Sequence, residues 1–439
     1  MAEEGSRGPG VDPPTKAGQA GYICVLSLAI SFLFFSFVAR FGYGVLVPRI
    51  IEEMGFSRTE AGFVYSVFTF MYSAFSVVSG RLFDRYGIRV VAALSLVYGL
   101  GLALASVSSS FLALTASLAI AGLGASSSWT PMVALVSSKL PESWRGWGIG
   151  LLEVGVRASL GSVGFLIPLI IFAAGLRATW WIISLPLFAY GLAFYTLSRS
   201  ELLRVSIGTR KEIVSYKALM SSRLFWLVGL SYLSMSFASY IILTFLVDFL
   251  TREVGRPYVE ASAIAGIMGF TGMVGALSLS WASDRMGRTS SLIMSNALAS
   301  LTVCLTALSL SNKLLSDLLG LVVATYGVFF GALWPIYAAC AGDLFPSSVG
   351  TVLGLWTLMM GVGALAAPTI GGLLADAFDS YVPALLLSSA TYLAAMLFTV
   401  VATMARRASA SRAPRTMPLV RPSCRRVLGK KLLGLLWNS

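Results

Sequence analysis

Long runs of apolar residues, separated by short polar stretches, recur along the chain from residue 22 to residue 405. A helix needs about 20 apolar residues to cross the roughly 30 Å hydrocarbon core of a bilayer. The runs are that long, and they lack the strict alternation of a membrane β-barrel strand. The pattern predicts twelve membrane-spanning helices, span 1 to span 12. Their ranges are 22–48, 59–79, 90–108, 111–136, 146–173, 178–198, 223–250, 259–280, 290–310, 315–340, 349–375 and 379–405.

Composition supports an all-α integral membrane fold. Of the 439 residues, 57% are hydrophobic and only 12% are charged, whereas a soluble domain carries about 25% charged residues. Span 1 is too long for the core of a signal peptide, so we expect it to be retained. The predicted units are a cytoplasmic arm (1–21), an N-terminal six-helix bundle (22–198), a cytoplasmic linker (199–222), a C-terminal six-helix bundle (223–405) and a basic cytoplasmic tail (406–439).

The loops differ sharply in basic residues. If the odd-numbered spans run outward, 24 arginines and lysines fall on the inner side of the membrane and six on the outer side. The positive-inside rule therefore predicts a multi-pass cell-membrane protein with both termini in the cytoplasm. The net charge of +13 is spread over the inner loops and the tail, which favours attraction to anionic lipid over nucleic-acid binding.

Several kinds of chemistry are poorly supported by the residues present. The chain has no histidine, and its four cysteines show no CxxC spacing. Neither a metal site nor a disulfide framework is therefore indicated, and we expect no cofactor. Without histidine, proton transfer must use carboxylates. The absence of a nucleophile cluster argues against an enzyme, and the absence of a GxxxxGK[ST] loop argues against a nucleotide-driven pump.

An internal repeat relates the two halves of the chain at an offset of 200 residues, without a gap over about fifty positions. Rare charged residues in the same register make chance similarity a poor explanation. The repeat predicts two parallel six-helix units related by an axis along the membrane normal, with a substrate site near mid-membrane between them. Matched positions include Glu53 and Glu253, Gly55 and Gly255, Glu60 and Glu260, Asp84 and Asp284, Arg85 and Arg285, and Gly87 and Gly287.

The loop after span 2 and the loop after span 8 carry the same charged motif. Together with the twelve spans, they resemble the signature loops of the major facilitator superfamily. The resemblance implies that the motif residues form a conformational latch on the inner side; the alternative is a solvated turn that only sets orientation. The latch residues are Gly80, Asp84, Arg85, Gly87 and Arg89 in the first copy and Asp284, Arg285 and Gly287 in the second. Ser280 departs from the glycine usual in the family.

Three charged residues lie at membrane depth, where an ionisable side chain costs several kcal/mol and usually has a function. Arg40 lies in span 1, and Glu153 and Arg157 lie four residues apart in span 5. One interpretation is that Arg40 and Arg157 bind an anionic substrate while Glu153 couples transport to protons. The alternatives are a self-neutralising pair in span 5 and an Arg40 that snorkels or pairs with a neighbouring helix.

Aromatic residues add candidates for a substrate cavity. The family resemblance places spans 1, 4, 7 and 10 around such a cavity, and spans 5 and 11 resemble the family's glycine-rich gating helices. The aromatic candidates in spans 4 and 10 are Trp129, Tyr326, Trp334 and Tyr337. Packing against lipid or protein is their alternative role. We expect Asp248, at the end of span 7, to be a hydrated helix-end charge.

These observations predict a secondary transporter that works by alternating access and carries a small organic anion, such as a carboxylate, by proton symport or exchange. The region from Phe41 to Arg89 resembles the monocarboxylate and oxalate/formate branch, although spans 8 and 11 contain no interior arginine or lysine. The alternatives are an exporter of hydrophobic or drug-like compounds and a non-transporting membrane sensor. The expected partners are a small-molecule substrate and membrane lipid, and we expect a monomer.

Overall fold

The computed structural model describes residues 16–200, 203, 216–346 and 348–412. Within them the chain forms fourteen helices and no strand. Residues 1–15 of the predicted arm, most of the linker 199–222 and residues 413–439 of the tail lie outside the described residues. The helices are α1 (Lys16–Met54), α2 (Arg58–Tyr86), α3 (Ile88–Val107), α4 (Phe111–Ala125), α5 (Trp129–Lys139), α6 (Glu142–Leu197), α7 (Tyr216–Met220), α8 (Arg223–Arg252), α9 (Tyr258–Met286), α10 (Arg288–Leu308), α11 (Lys313–Asp317), α12 (Leu319–Leu344), α13 (Val349–Phe378) and α14 (Val382–Arg412).

Eleven helical stretches in the described part of the chain are long and apolar enough to cross a membrane. One of them lies in α6, whose 56 residues would extend roughly 84 Å if straight. Gly175 interrupts α6 with φ 79° and ψ 174°, a backbone conformation that glycine adopts readily. The predicted spans 5 and 6 are the two parts of α6, before and after Gly175. With α6 divided in this way, the described residues contain twelve apolar helical spans, of which span 4 is α4 followed by α5.

The ends of α2 show how local sequence sets the helix boundaries. The Ser57 side chain accepts a hydrogen bond from the Glu60 backbone N–H, and the Glu60 carboxylate accepts one from the Ser57 N–H. This reciprocal capping box satisfies two amide groups at the start of α2. Gly87, at φ 63°, ends α2 and precedes α3. The helix continues past the predicted end of span 2 because polar residues are compatible with a helix that projects into water.

The two six-helix bundles meet along three pairs of helices: α1 with α8, α2 with α13, and the first part of α6 with α9. Glycines allow the backbones to approach closely at this seam. A side-chain carbon at Gly44 would lie 1.9 Å from the Leu243 carbonyl oxygen, and one at Gly62 would lie 2.1 Å from the Pro368 carbonyl oxygen. No residue with a β-carbon fits at either position without movement of the backbone.

Hydrogen bonds close the seam on one side of the molecule. We call the side that carries the two repeated motifs the loop side and the opposite side the far side. Hydrogen bonds between the halves cluster towards the far side. At the far end, the Asp376 carboxylate accepts hydrogen bonds from the Arg58 N–H (3.1 Å), the Thr59 N–H (2.8 Å) and the Thr59 hydroxyl (2.6 Å). Further in, the Thr69 hydroxyl donates to the Ala364 carbonyl oxygen (3.2 Å).

Candidate functional site

Arg40 of α1 lies at the seam between the two bundles and is only 6% exposed. Its guanidinium donates a hydrogen bond to the Tyr240 hydroxyl of α8. It also stacks on the Tyr72 ring of α2, with 4.0 Å from the guanidinium carbon to the ring centroid, and lies 5.4 Å from the Phe37 ring. Aromatic faces stabilise a cation in a poorly hydrated site. Its charge nonetheless has no carboxylate partner among the described residues.

The backbone around Arg40 is held by a second layer of tyrosines. The Tyr65 hydroxyl donates to the Arg40 carbonyl oxygen (3.2 Å), and the Tyr65 ring stacks on Tyr43 with centroids 4.8 Å apart. Because Phe37 and Arg40 are three residues apart, they share one face of α1. The nitrogen Nε of Arg40 is buried and has no hydrogen-bond partner within the described residues. The guanidinium is thus held in place but retains donor capacity for an anion.

Arg157 of α6 is also buried, at 3% exposed. Its guanidinium lies 3.9 Å from the Glu153 carboxylate, which is within ion-pair range but too long for a hydrogen bond. Its guanidinium carbon is 5.2 Å from the Phe330 ring centroid of α12 in the other half. The Glu153 side chain is 20% exposed and lies one helical turn closer to the loop side. The structure therefore brings Glu153 and Arg157 together, at the seam.

The four aromatic candidates differ in their hydrogen bonds and in what they pack against. The Tyr326 hydroxyl is hydrogen-bonded to that of Tyr392 (2.8 Å), and the Tyr337 hydroxyl is hydrogen-bonded to Ser231. These two hydroxyls are engaged inside the second bundle. Trp334 is half-buried and packs edge-on against Tyr232, with centroids 5.6 Å apart. Trp129, in the first bundle, is half-buried against the apolar core.

The two copies of the signature loop differ in their ion pairs. Asp284 pairs with Arg288 of the same loop, and Arg288 also approaches Asp343 of α12 at 3.8 Å. Asp84 is exposed, and no ion pair to it occurs within the described residues. The remaining latch candidates lie on the surface or at the turns. Arg85, Arg89, Arg285 and Gly287 are exposed, whereas Gly80 and Gly87 are partly buried.

Asp248 corrects one expectation. The sequence predicted a hydrated helix-end charge, but the residue is fully buried. Its carboxylate accepts hydrogen bonds from the Arg252 guanidinium (2.8 Å) and from the Tyr381 hydroxyl (2.6 Å). The prediction was wrong because α8 continues to Arg252, beyond the predicted end of span 7, and the chain before α14 folds over it. Arg252 in turn lies 3.4 Å from the Pro48 carbonyl oxygen of the first half.

Sequence reasoning missed three residues that surround the buried arginines: Tyr72, Tyr240 and Phe330. Each lies in a predicted span, where an aromatic residue is unremarkable. Tyr240 alone had a usable signal, because it occupies the position of Arg40 in the second copy of the repeat. Residues at equivalent repeat positions can meet only close to the axis that relates the two copies, so a contact between them could have been anticipated.

The architecture matches a known family over most of the chain. The family model of the Major Facilitator Superfamily matches residues 29–293 and again residues 228–438. The chain belongs to the Major Facilitator Superfamily. It is therefore a multi-pass membrane transporter and not an enzyme, and both the family resemblance and the fold class predicted from the sequence are confirmed.

Solved structures and named relatives are consistent with this membership. A bacterial homologue of the human lysosomal transporter Spinster, solved in an inward-facing and unoccupied conformation, superposes with a TM-score of 0.68 at 15% identity, covering 89% of this chain and 96% of that one. The probable sulfoacetate transporter of Cupriavidus necator is 22% identical over 81% of this chain and 88% of its own length. The D-galactonate transporter of Escherichia coli is 22% identical, over 87% and 96% respectively.

Proposed function

We propose that this member of the superfamily is a secondary transporter of a small organic anion, and that Arg40 binds the anion's acid group. The observation that carries the proposal is the setting of Arg40: a guanidinium buried at the seam, held by aromatic rings and a tyrosine hydroxyl, with no carboxylate partner among the described residues. A buried cation without a counter-ion is costly. An anionic substrate at this point supplies the missing charge.

The names of similar proteins support an anionic substrate. Sulfoacetate, D-galactonate and hexuronate, the last from a Bacillus subtilis transporter that is 21% identical over 82% of this chain, all carry an acid group. The three alignments cover 81%, 87% and 82% of this chain. A shared requirement for a cationic binding group is consistent with Arg40 at the seam.

Transport requires the site to open alternately to each side of the membrane. With the far side sealed by the hydrogen bonds around Asp376, we infer that the cavity faces the loop side. The excess of arginine and lysine in the loops on that side supports a cytoplasmic location for it and for both termini. The opposite state would need the Asp376 hydrogen bonds to break and the loop side to close, and we assign the stabilisation of that closure to the latch residues around Asp84.

We assign proton coupling to Glu153. It is a carboxylate at membrane depth, it is partly exposed, and it pairs loosely with Arg157. When Glu153 is protonated, Arg157 loses its counter-charge and attracts the substrate anion more strongly. When Glu153 ionises, its charge competes with the anion for Arg157. This competition for Arg157 would couple release of the substrate to release of the proton through electrostatics.

Uptake into proteoliposomes tests the proposal. The full chain should accumulate at least one labelled small carboxylate or sulfonate under an imposed proton or counter-substrate gradient. Arg40→Gln should lose this uptake. Arg177→Gln serves as the matched control, because Arg177 is exposed and lies on the far-side connection within α6. Transport of cations or lipophilic compounds, without any anion, would overturn the assignment.

A further inference from the structure

The two buried arginines lie on neighbouring, parallel helices of the first half. A side-chain carbon at Gly155 of α6 would lie 3.2 Å from the Ile30 carbonyl oxygen of α1, and one at Gly42 of α1 would lie 3.5 Å from the Ile167 side chain of α6. In both contacts the α6 residue is 125 positions after the α1 residue, since 155 − 30 and 167 − 42 both equal 125. The two helices therefore run in the same direction in a fixed register, which places Arg157 level with residue 32 of α1.

Arg40 lies eight residues further along α1 than that level. At a rise of 1.5 Å per residue, the Cα atoms of the two arginines differ by about 12 Å in height along the two helices. Side chains on a helix lean towards its N-terminus. Because both helices begin on the loop side, both guanidiniums lean towards the proposed open side and keep their vertical separation.

Both guanidiniums also have unused donors. Each carries a buried Nε without a hydrogen-bond partner among the described residues. Within those residues, Arg157 makes no hydrogen bond at all; it has only a 3.9 Å ion pair with Glu153 and the face of Phe330. Buried guanidinium donors are normally satisfied, and leaving them unpaired is costly. Each guanidinium therefore offers a donor to a separate acid group.

We propose that the substrate is a dianion whose two acid groups bind Arg40 and Arg157 separately. This inference rests on the anion transport proposed above and names its substrate class. A hydrogen-bonded acid carbon lies about 4 Å from a guanidinium carbon, given N···O distances near 2.9 Å. If both acid groups lie between the two guanidiniums, the height difference leaves at least roughly 4 Å between the two acid carbons, which is the length of a two-carbon spacer. Succinate and glutarate meet this requirement, and oxalate is too short to reach both groups.

The test compares each dianion with its own monoamide, because the amide keeps the size and removes one charge. Binding of succinate, succinamate, glutarate, glutaramate and oxalate is measured on the full chain in detergent at about pH 7.5, where carboxylic acids are ionised. Succinate and glutarate should bind on the order of 10- to 100-fold more tightly than their amides. Oxalate should bind no better than succinamate.

Variants then assign the second acid group. Arg157→Gln should lower succinate affinity to that of succinamate and leave succinamate unchanged. Arg157→Lys should recover part of the preference, whereas Arg40→Gln should weaken both ligands. Equal binding of succinate and succinamate by the unaltered chain would overturn the dianion proposal while leaving anion transport intact. Absence of any anion binding would overturn both. A preference that survives Arg157→Gln would show that another group holds the second charge.

If Arg157→Gln fails to give folded protein, the comparison of succinate with succinamate on the unaltered chain still decides the substrate class. Thermal unfolding of each variant, measured without ligand, distinguishes this case from a loss of binding. Arg157→Lys, which keeps the positive charge beside Glu153, then tests the role of the residue in a chain that retains its ion pair.

Discussion

Arg40 and Tyr240 are 200 residues apart, occupy the same position in the two copies of the repeat, and are hydrogen-bonded to each other. A residue can contact its own repeat counterpart only close to the axis that relates the copies. Gly44 and Thr244 show the same relationship one turn further along: a side-chain carbon at Gly44 would lie 3.5 Å from the Thr244 carbonyl oxygen. The buried positive charge of Arg40 therefore lies near the centre of the molecule, where α1 and α8 cross.

The Arg40–Tyr240 hydrogen bond makes Tyr240 a positioning residue for the proposed substrate site. Tyr240→Phe keeps the ring and removes the hydroxyl, so the guanidinium loses its fixed direction. We expect anion affinity to fall about 3- to 10-fold, which is less than the full value of a hydrogen bond to a charged group because Tyr240 acts on the anion only through Arg40. Isothermal titration of the purified chain with the transported anion measures the affinity.

Tyr43→Phe is the matched control for this change. The Tyr43 hydroxyl donates to the Ala61 carbonyl oxygen (2.7 Å) inside the first bundle, so its loss should reduce stability and leave affinity unchanged. If Tyr240→Phe bound the anion as well as the unaltered chain, Tyr240 would have no part in positioning Arg40.

The far-side seal depends on Asp376, whose carboxylate accepts three hydrogen bonds from Arg58 and Thr59 at the start of α2. Asp376→Asn removes the negative charge and replaces one acceptor with a donor. We expect the population of the state open to the far side to rise several-fold, because the hydrogen bonds that the substitution weakens form only while the far side is closed. Spin labels at Val107 and Leu314, both exposed at far-side helix ends, report the separation of the halves.

Asp317→Asn is the control, since Asp317 is an exposed carboxylate on the same side, in α11. Asp317→Asn should leave the distance between the two spin labels unchanged. An unaltered distance distribution in Asp376→Asn would show that packing of the glycine-lined seam, and not this carboxylate, keeps the far side closed.

The sequence predicted the membrane spans and the repeat well, because each depends on local patterns. Twelve apolar runs correspond to twelve helical spans in the described residues, and the repeated motif lies at the turns that end α2 and α9. The settings of Arg40 and Asp248 could not be predicted in this way. Tyr72, Tyr240 and Tyr381 reach these residues from other parts of the chain, so the relevant distances depend on how whole helices pack.

The break between spans 5 and 6 also followed from the sequence. Span 5 was predicted to end at residue 173 and span 6 to begin at residue 178, and Gly175, at φ 79° and ψ 174°, interrupts the helix between these positions. The seal at Asp376 was missed, because a carboxylate near a helix end is common and only the structure shows it capping a helix of the other half.

The exposed Asp84 leads to a prediction about rate. We propose that Asp84 stabilises the state in which the loop side is closed, while it has no ion pair among the described residues of the present state. Asp84→Asn should therefore slow transport by about 10-fold or more and change substrate affinity less than about 2-fold. Initial uptake rates at saturating substrate, together with equilibrium binding, separate the two effects.

Asp284→Asn provides the comparison, because Asp284 is already paired with Arg288 within its own half. Loss of this pair should affect the stability of the second bundle more than the rate. Transport at the normal rate by Asp84→Asn would reject the latch and leave the first loop as a solvated turn.

Substitution of Glu153 tests the proposed coupling of transport to protons directly. Glu153→Gln imitates the protonated carboxyl group permanently, so Arg157 no longer has a charged neighbour at 3.9 Å. We expect accumulation driven by a proton gradient to be lost, because the residue can no longer release a proton. Exchange of labelled for unlabelled substrate across the membrane needs no net proton movement and should persist. Affinity for the anion should rise, since the competing carboxylate charge has been removed.

Both assays use the same proteoliposomes with and without the pH difference. Loss of exchange together with accumulation, in a variant that still unfolds at the normal temperature, would show that Glu153 supports the binding site instead of carrying the coupled proton.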